Sequence, residues 1–328
     1  MTALLYSLLS RLFRLITKKL KSILTCRATV WLKVTPISTA RPTRTCRGSQ
    51  KSHLRDGTTI GYRQLGSGPG LILVHGGTAA SQHFMSLATA LCDAFTLYIP
   101  DRRGRGLSEP FGDNYGIQKE VEDLDALLIK TGAHNVFGLS SGALISLQAS
   151  LALPAIRKAA LYEPPLSIDH SILTTITPLM QRFDREIAEG NVAAALVTAV
   201  KDSGLWPFPE FKTRQDIVQV ITSVLQEDAR NVKGDDVSLQ ALVPTQHFDY
   251  QLVVETEGTL ETFKAVPAEV LLLGGSERPP FLKPTLDALS KVLPHVRRVE
   301  FPGLGHSAPQ DTGGELERVA RELRRFFV

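Results

Sequence analysis

The stretch "NVFGLSSGALI", residues 135–145, constrains this chain more than any other: an apolar run, Val136 to Leu139, stops at two serines flanked by glycines. It then resumes in a register that suits a helix. A strand turning this sharply into a helix forces its turn residue into a strained conformation. It also brings neighbouring backbones so close that the residues two before and two after must be small. Gly138 and Gly142 hold those positions around Ser140. Ser140 is then expected to stand exposed at the C-terminal edge of a sheet, at the positive end of the following helix.

The rest of the chain repeats the rhythm. "GLILVHGG" (70–77), "FTLYIPD" (95–101), "RKAALYEPP" (157–165), "AEVLLLGG" (268–275) and "VRRVEFPG" (296–303) are short apolar runs that suit strands buried on both faces. Helical patterns lie between or after them, at 117–132, from about 142 to 153, at 284–293 and at 314–327. Residues 58–68 alternate weakly, as a hairpin edge does. Alternation of this kind implies an α/β fold, a mostly parallel sheet flanked by helices. One interval breaks the pattern. Between Pro165 and Pro267 the sequence is dominated by helical segments, which predicts a helical cap inserted over the strand ends.

Charge is divided along the chain. Twelve of the 37 Lys and Arg residues lie within residues 1–55, which hold no Asp or Glu. The remainder has 25 basic against 33 acidic residues, a net of −8, so the body offers no basic face for nucleic acid. Residues 4–24 form an amphipathic stripe (Leu5, Leu9, Leu12, Ile16, Leu20, Ile23) opposite Arg11, Arg14, Lys18 and Lys21. No uninterrupted run approaches the ~20 apolar residues of a spanning helix. An acid-free, Arg- and hydroxyl-rich amphipathic leader has the character of a mitochondrial transit peptide. Contact with an anionic membrane surface, or an unordered extension of a cytoplasmic protein, are the alternatives. Cys26, Cys46 and Cys92 form neither a disulfide framework nor a zinc motif. The expected organisation is a leader at 1–55, a core at 56–165 and 267–328, and a cap at 166–266.

A serine hydroxyl needs a base, an orienting acid and an oxyanion site. His306, in "PGLGHSAP", follows the last strand, where a loop returns over the sheet edge. His75, before Gly76 and Gly77, reads as structural support for a glycine loop. Taken together, "HGG", "DRRGRGLS", "GLSSG", "YEPP" and "GLGH" resemble the α/β-hydrolase superfamily over residues 55–328. The resemblance implies an α/β-hydrolase fold, Ser140 as nucleophile, His306 as general base, and an oxyanion hole from the N–H groups of Gly77 and Ser141. It implies no metal and no organic cofactor. Where an Asp is usual after the next-to-last strand, this chain has "GGSERPPF". Glu277 in that turn and Glu163 in "YEPP" are both candidates for the acid. Glu163 is favoured because Pro164 and Pro165 stiffen its position. Arg278 is available to pair with Glu277.

Asp101 and Arg103 are expected to brace their loop. Trp206, Phe208, His247 and Phe248 are candidates either for the pocket wall or for the cap core. The implied activity is serine hydrolysis of a small, fairly apolar ester, thioester or related acyl compound. A non-hydrolytic lyase or ligand-binding protein of the same fold is the alternative, supported only by the irregular acid.

Overall fold

In a computed structural model, described over residues 46–53, 57–168, 171–202, 213–311, 313 and 315–328, eight strands form one sheet. They are β1 (Cys46–His53), β2 (Thr59–Gly66), β3 (Gly70–Val74), β4 (Thr96–Pro100), β5 (Asn135–Leu139), β6 (Lys158–Tyr162), β7 (Glu269–Gly275) and β8 (Val296–Phe301). Their order across the sheet is β1-β2-β4-β3-β5-β6-β7-β8. From β4 through β8 every neighbouring pair is parallel, and β1 and β2 are antiparallel additions at one edge.

The apolar runs become central strands because both faces are covered. Leu71, Leu73, Phe137, Leu139 and Tyr162 face one cluster with Phe84, Leu91, Leu323 and Phe326. Ile72, Val74, Val136, Leu161 and Leu272 face the other, with Leu124, Leu144, Leu147 and Leu289. The helices supplying those layers are α1 (Met85–Leu91), α2 (Ile117–Thr131) and α3 (Ser141–Ala152), then α9 (Leu282–Val292) and α10 (Leu316–Phe327), with the cap helices between. Helix α2 buries Val121, Leu124, Leu127 and Leu128 and stops at Gly132, whose left-handed conformation returns its N–H to the Leu128 carbonyl. Helix α3 is buried nearly all round, so it shows little amphipathic signal.

Between β6 and β7 lie α4 (Ser171–Ala188), α5 (Val192–Val197), α6 (Arg214–Asn231), α7 (Leu239–Leu242) and α8 (Gln246–Glu255). They form a small core of their own, with Phe183, Leu196, Ile217, Ile221, Leu225 and Tyr250.

The sheet starts earlier than the sequence pattern implies. Residues 46–53, assigned to the leader, form edge strand β1, paired with β2 from Cys46↔Leu65 to His53↔Thr59. An edge strand needs no two-sided apolar pattern, so "CRGSQKSH" carries no core periodicity. The amphipathic stretch 4–24, Trp206 and Phe208 lie outside the described residues. Among the described residues no helix is long and apolar enough to cross a membrane.

Candidate active site

Strands β3, β5, β6, β7 and β8 run parallel, and residues that follow their C-terminal ends line one cavity. Ser140 comes after β5 with φ 56° and ψ −125°, a positive-φ conformation that a non-glycine residue adopts only under constraint. Its N–H donates to the Tyr162 carbonyl at 2.9 Å, and its carbonyl accepts the Ala143 and Leu144 N–H groups of α3 at 2.8 and 3.0 Å. The flanking glycines are steric necessities. A Cβ on Gly138 would lie 2.3 Å from the Gly142 carbonyl oxygen, and one on Gly142 would lie 2.3 Å from that of Val74.

The acid at the end of β6 is Glu163, also at positive φ, 51°. Its carboxylate is wholly buried. Oε1 accepts the Gly275 N–H at 2.7 Å, and Oε2 lies 2.5 Å from His306 Nδ1. His306 sits in the loop after β8, which is held by the Tyr162 hydroxyl donating to the Gly305 carbonyl at 2.8 Å. Burial pulls the His306 imidazole below the ordinary histidine pKa, and the hydrogen bond to Glu163 opposes that effect. Nδ1 carries its proton toward the carboxylate, so Nε2 is left as the basic nitrogen.

The other candidate acid is not brought to the histidine. Glu277 is exposed and meets this loop through its backbone, its N–H donating to the Leu304 carbonyl at 2.9 Å. Arg278 does not serve it either. That guanidinium pairs with Glu300 at 2.8 Å and donates to the Gly275 carbonyl at 2.6 Å.

Ser140 and His306 share one cavity with Gly77 and Ser141. Neither the Gly77 nor the Ser141 N–H has an acceptor among the described residues. The cavity's other walls are largely apolar: Pro165, Ile172, Ile176 and Leu179 on the cap entry, Ala199 and Val253 deeper in the cap, and Phe281 and Leu282 at the start of α9.

Residues 71–320 match the alpha/beta hydrolase family. This chain belongs to that family. A 3-hydroxybutyrate-oligomer hydrolase of Cupriavidus necator is 27% identical over 246 residues, 72% of this chain and 82% of that protein. A cis-3-alkyl-4-alkyloxetan-2-one decarboxylase of Shewanella oneidensis is 24% identical over 300 residues, 84% and 86% of the two chains. Among solved structures, an alpha/beta hydrolase of Sphaerobacter thermophilus superimposes with a TM-score of 0.68 at 27% identity, covering 85% of this chain and 100% of its own.

On this alpha/beta hydrolase frame the loop after β4 is braced as its sequence leads one to expect. Asp101 accepts the N–H groups of Ser81 (2.6 Å) and Leu107 (3.0 Å), and Arg103 clasps Asp123 at 2.7 and 2.5 Å. His75 is fully buried; its Nδ1 donates to the Gly76 carbonyl and its Nε2 accepts the Arg102 N–H. It is therefore neutral, and burial holds its pKa well below the ordinary value.

Sequence reasoning missed a buried charge network beside the glycine loop. Asp249, on α8 of the cap, accepts from Ser141 Oγ (2.7 Å), Arg102 (2.8 Å) and Arg105 (2.7 Å). Arg102 also binds Glu120 on α2 at 2.8 Å. The two arginines keep the Asp249 carboxyl below its usual pKa despite burial. One cap helix is thereby tied to α2, α3 and the loop after β4. No motif signals this, because Asp249 acquires its partners only when α8 folds back across some hundred residues. His247 and Phe248, candidates for the pocket wall, lie elsewhere. His247 pairs with Asp184 at 2.9 Å, and Phe248 stacks on Phe111 with centroids 3.6 Å apart.

Proposed function

We propose that this protein is a serine hydrolase of the carboxylesterase or thioesterase type, cleaving a small, fairly apolar ester, thioester or related acyl substrate through an acyl-enzyme. The observation that carries the reading is the 2.5 Å contact between His306 Nδ1 and the buried Glu163 carboxylate, in a cavity that Ser140 shares. A buried acid bonded to Nδ1 holds the imidazole in the tautomer whose Nε2 accepts a proton.

Ser140 Oγ attacks the acyl carbon while its proton passes to His306 Nε2, and the carbonyl oxygen becomes an oxyanion. The N–H groups of Gly77 and Ser141 stabilise that charge, aided by the N-terminal end of α3. As the tetrahedral adduct collapses, the C–O or C–S bond to the leaving group breaks, and His306 gives its proton to the departing alcohol or thiol. Water then attacks the acyl-enzyme, again deprotonated by His306, and the acid leaves as Ser140 recovers its proton.

The preference for apolar acyl groups follows from the walls, where aliphatic and aromatic side chains predominate and no Lys or Arg is present among the described lining residues. The name of the Cupriavidus relative, a hydrolase, supports the reaction class.

The test is hydrolysis of 4-nitrophenyl butyrate and labelling by a fluorophosphonate, each compared with Ser140→Ala. Both signals are expected to vanish in the variant. Hydrolysis that persists in Ser140→Ala at the wild-type rate refutes the assignment of the nucleophile.

A further inference from the structure

The two glycines of "HGG" are required by different neighbours. A Cβ on Gly76 would press on the Leu139 carbonyl oxygen and the Ser140 Cβ, both at 3.0 Å, so that glycine serves the elbow. A Cβ on Gly77 would instead lie 2.7 Å from Gln246 Oε1 and 3.0 Å from Asp249 Oδ2. Both of those side chains belong to cap helix α8, and both are buried. Position 77 needs a glycine because the cap rests directly on it.

Each of the two cap side chains also takes a hydrogen bond from a residue at the candidate oxyanion hole. Gln246 Oε1 accepts from Thr78 Oγ1 at 2.8 Å. Thr78 stands at φ 49°, a conformation that a β-branched residue keeps only when its surroundings hold it there. Its bond to α8 therefore fixes the turn that carries the Gly77 N–H. Asp249 Oδ1 accepts from Ser141 Oγ at 2.7 Å, and Ser141 is the first residue of α3. Arg102 and Arg105 bond to the same carboxylate at 2.8 and 2.7 Å, which offsets its charge beside a developing oxyanion.

Gln246 and Asp249 lie three residues apart on α8 and hence on one face. That face grips two loops that leave the sheet from different strands, β3 and β5. An oxyanion hole works only if its donors are in place before charge develops, and a displacement of about 1 Å costs on the order of 10²-fold in rate.

Resting on the esterase reading above, we infer that α8 sets the oxyanion hole: Gln246 positions the Gly77 N–H through Thr78, and Asp249 positions the Ser141 N–H through the serine hydroxyl. Both are positioning residues, acting through the groups that meet the oxyanion. Because the hole binds the oxyanion more tightly than the ester carbonyl, their loss falls on kcat more than on KM.

Thr78→Val, Gln246→Met and Ser141→Ala each remove one of these bonds and leave both N–H groups in the chain. Gln251→Ala is the control. Gln251 also docks α8, donating to the Tyr115 carbonyl at 2.7 Å, but it bonds neither Thr78 nor Ser141. Each protein is assayed with 4-nitrophenyl butyrate, well below its own Tm, and titrated with 1,1,1-trifluoroheptan-2-one. On that ketone Ser140 Oγ adds to the carbonyl carbon, the serine proton passes to His306, and the carbonyl oxygen becomes an oxyanion with no leaving group to expel. The first three variants are expected to lower kcat about tenfold or more, with KM within about threefold. The ketone's Ki should rise by the factor by which kcat/KM falls. Gln251→Ala is expected to stay within about threefold of wild type on every count. Thr78→Val combined with Gln246→Met should be no slower than the worse single variant, since the two remove the same bond. Thr78→Ser, which keeps the hydroxyl, should retain most of the wild-type rate. Unchanged kcat and Ki in the three variants, additive losses in the double variant, or an equal fall in Gln251→Ala overturns the positioning role while leaving the esterase reading intact. Wild type that neither hydrolyses the ester nor binds the ketone overturns both.

Discussion

Replacing Glu163 by Gln removes one charge and almost no volume, yet it disturbs both hydrogen bonds that the buried acid accepts. The carboxylate uses both oxygens, Oε1 for the Gly275 N–H and Oε2 for His306 Nδ1. An amide has one acceptor and one donor end, so it can satisfy only one of those two N–H groups. With its NH₂ toward His306, the imidazole must turn to the tautomer that carries its proton on Nε2, which cannot accept from Ser140. With its oxygen toward His306, the NH₂ is pressed against the Gly275 N–H, and two buried donors face each other. The second arrangement costs stability, about 1–3 kcal/mol for the unmatched buried donors, whereas the first keeps both contacts and costs activity instead. The catalytic cost is far larger, because the imidazolium formed in the transition state also loses its counter-charge: about 10⁴-fold in kcat by analogy with the serine protease acid. The assay is 4-nitrophenyl butyrate turnover with thermal unfolding measured on the same samples. Glu277→Gln is the control; an exposed side chain predicts less than about 0.5 kcal/mol and a rate within about threefold of wild type. A Glu163→Gln enzyme that keeps a tenth or more of its activity, or a Glu277→Gln enzyme that loses most of it, refutes the assignment of the acid.

Other outcomes rest on the same contacts. Burial lowers the His306 pKa, so the neutral base survives into mild acid; the acid limb of kcat/KM is expected to have its midpoint below the ordinary 6.5, and a midpoint above 6.5 contradicts the environment described. His75 is lowered too, and His83, whose Nδ1 accepts the Ala80 N–H, is brought down to about 4. The unfolded chain therefore binds more protons at these three histidines than the folded one below pH ~6.5. Stability contributed by these groups is complete above that pH and is lost as pH falls toward 4, which urea titrations at pH 7.5, 6 and 5 will read as a falling midpoint. Asp249→Ala strands Arg105 without its carboxylate partner and frees Ser141 Oγ; a loss of about 3–5 kcal/mol is expected, visible as a drop in Tm of roughly 10 °C. Gly142→Ala drives a methyl into the Val74 and His75 carbonyls, so both stability and turnover should fall, the former by about 1–3 kcal/mol in chemical denaturation.

Much of this architecture is written in local pattern. Short apolar runs ending in glycine or proline can be buried on both faces only as central parallel strands, and that logic locates β3 through β8 to within about three residues. The elbow is legible because its requirement is steric and local: Gly138, Ser140 and Gly142 must occur at that spacing for the backbone to pass. His306 is legible as the one histidine in a glycine loop after the last strand. Other features are not. Strand β1 is an edge with no apolar face to advertise it, so its sequence has the character of the leader. The choice between Glu163 and Glu277 turns on which carboxylate lies beside His306 Nδ1; both sit near strand ends, and the sequence favours Glu163 only through the stiffness of Pro164 and Pro165. Only the pairing of β6 with β7, and the burial it imposes on Glu163, separates them.

The role of Asp249 depends on where α8 comes to rest. Local sequence determines which segments are strands and which turn must be glycine, since those are questions of sterics and burial within a few residues. The identity of the buried acid and the lining of the cavity are set by contacts between residues a hundred positions apart. These exist only once the cap has folded over the sheet.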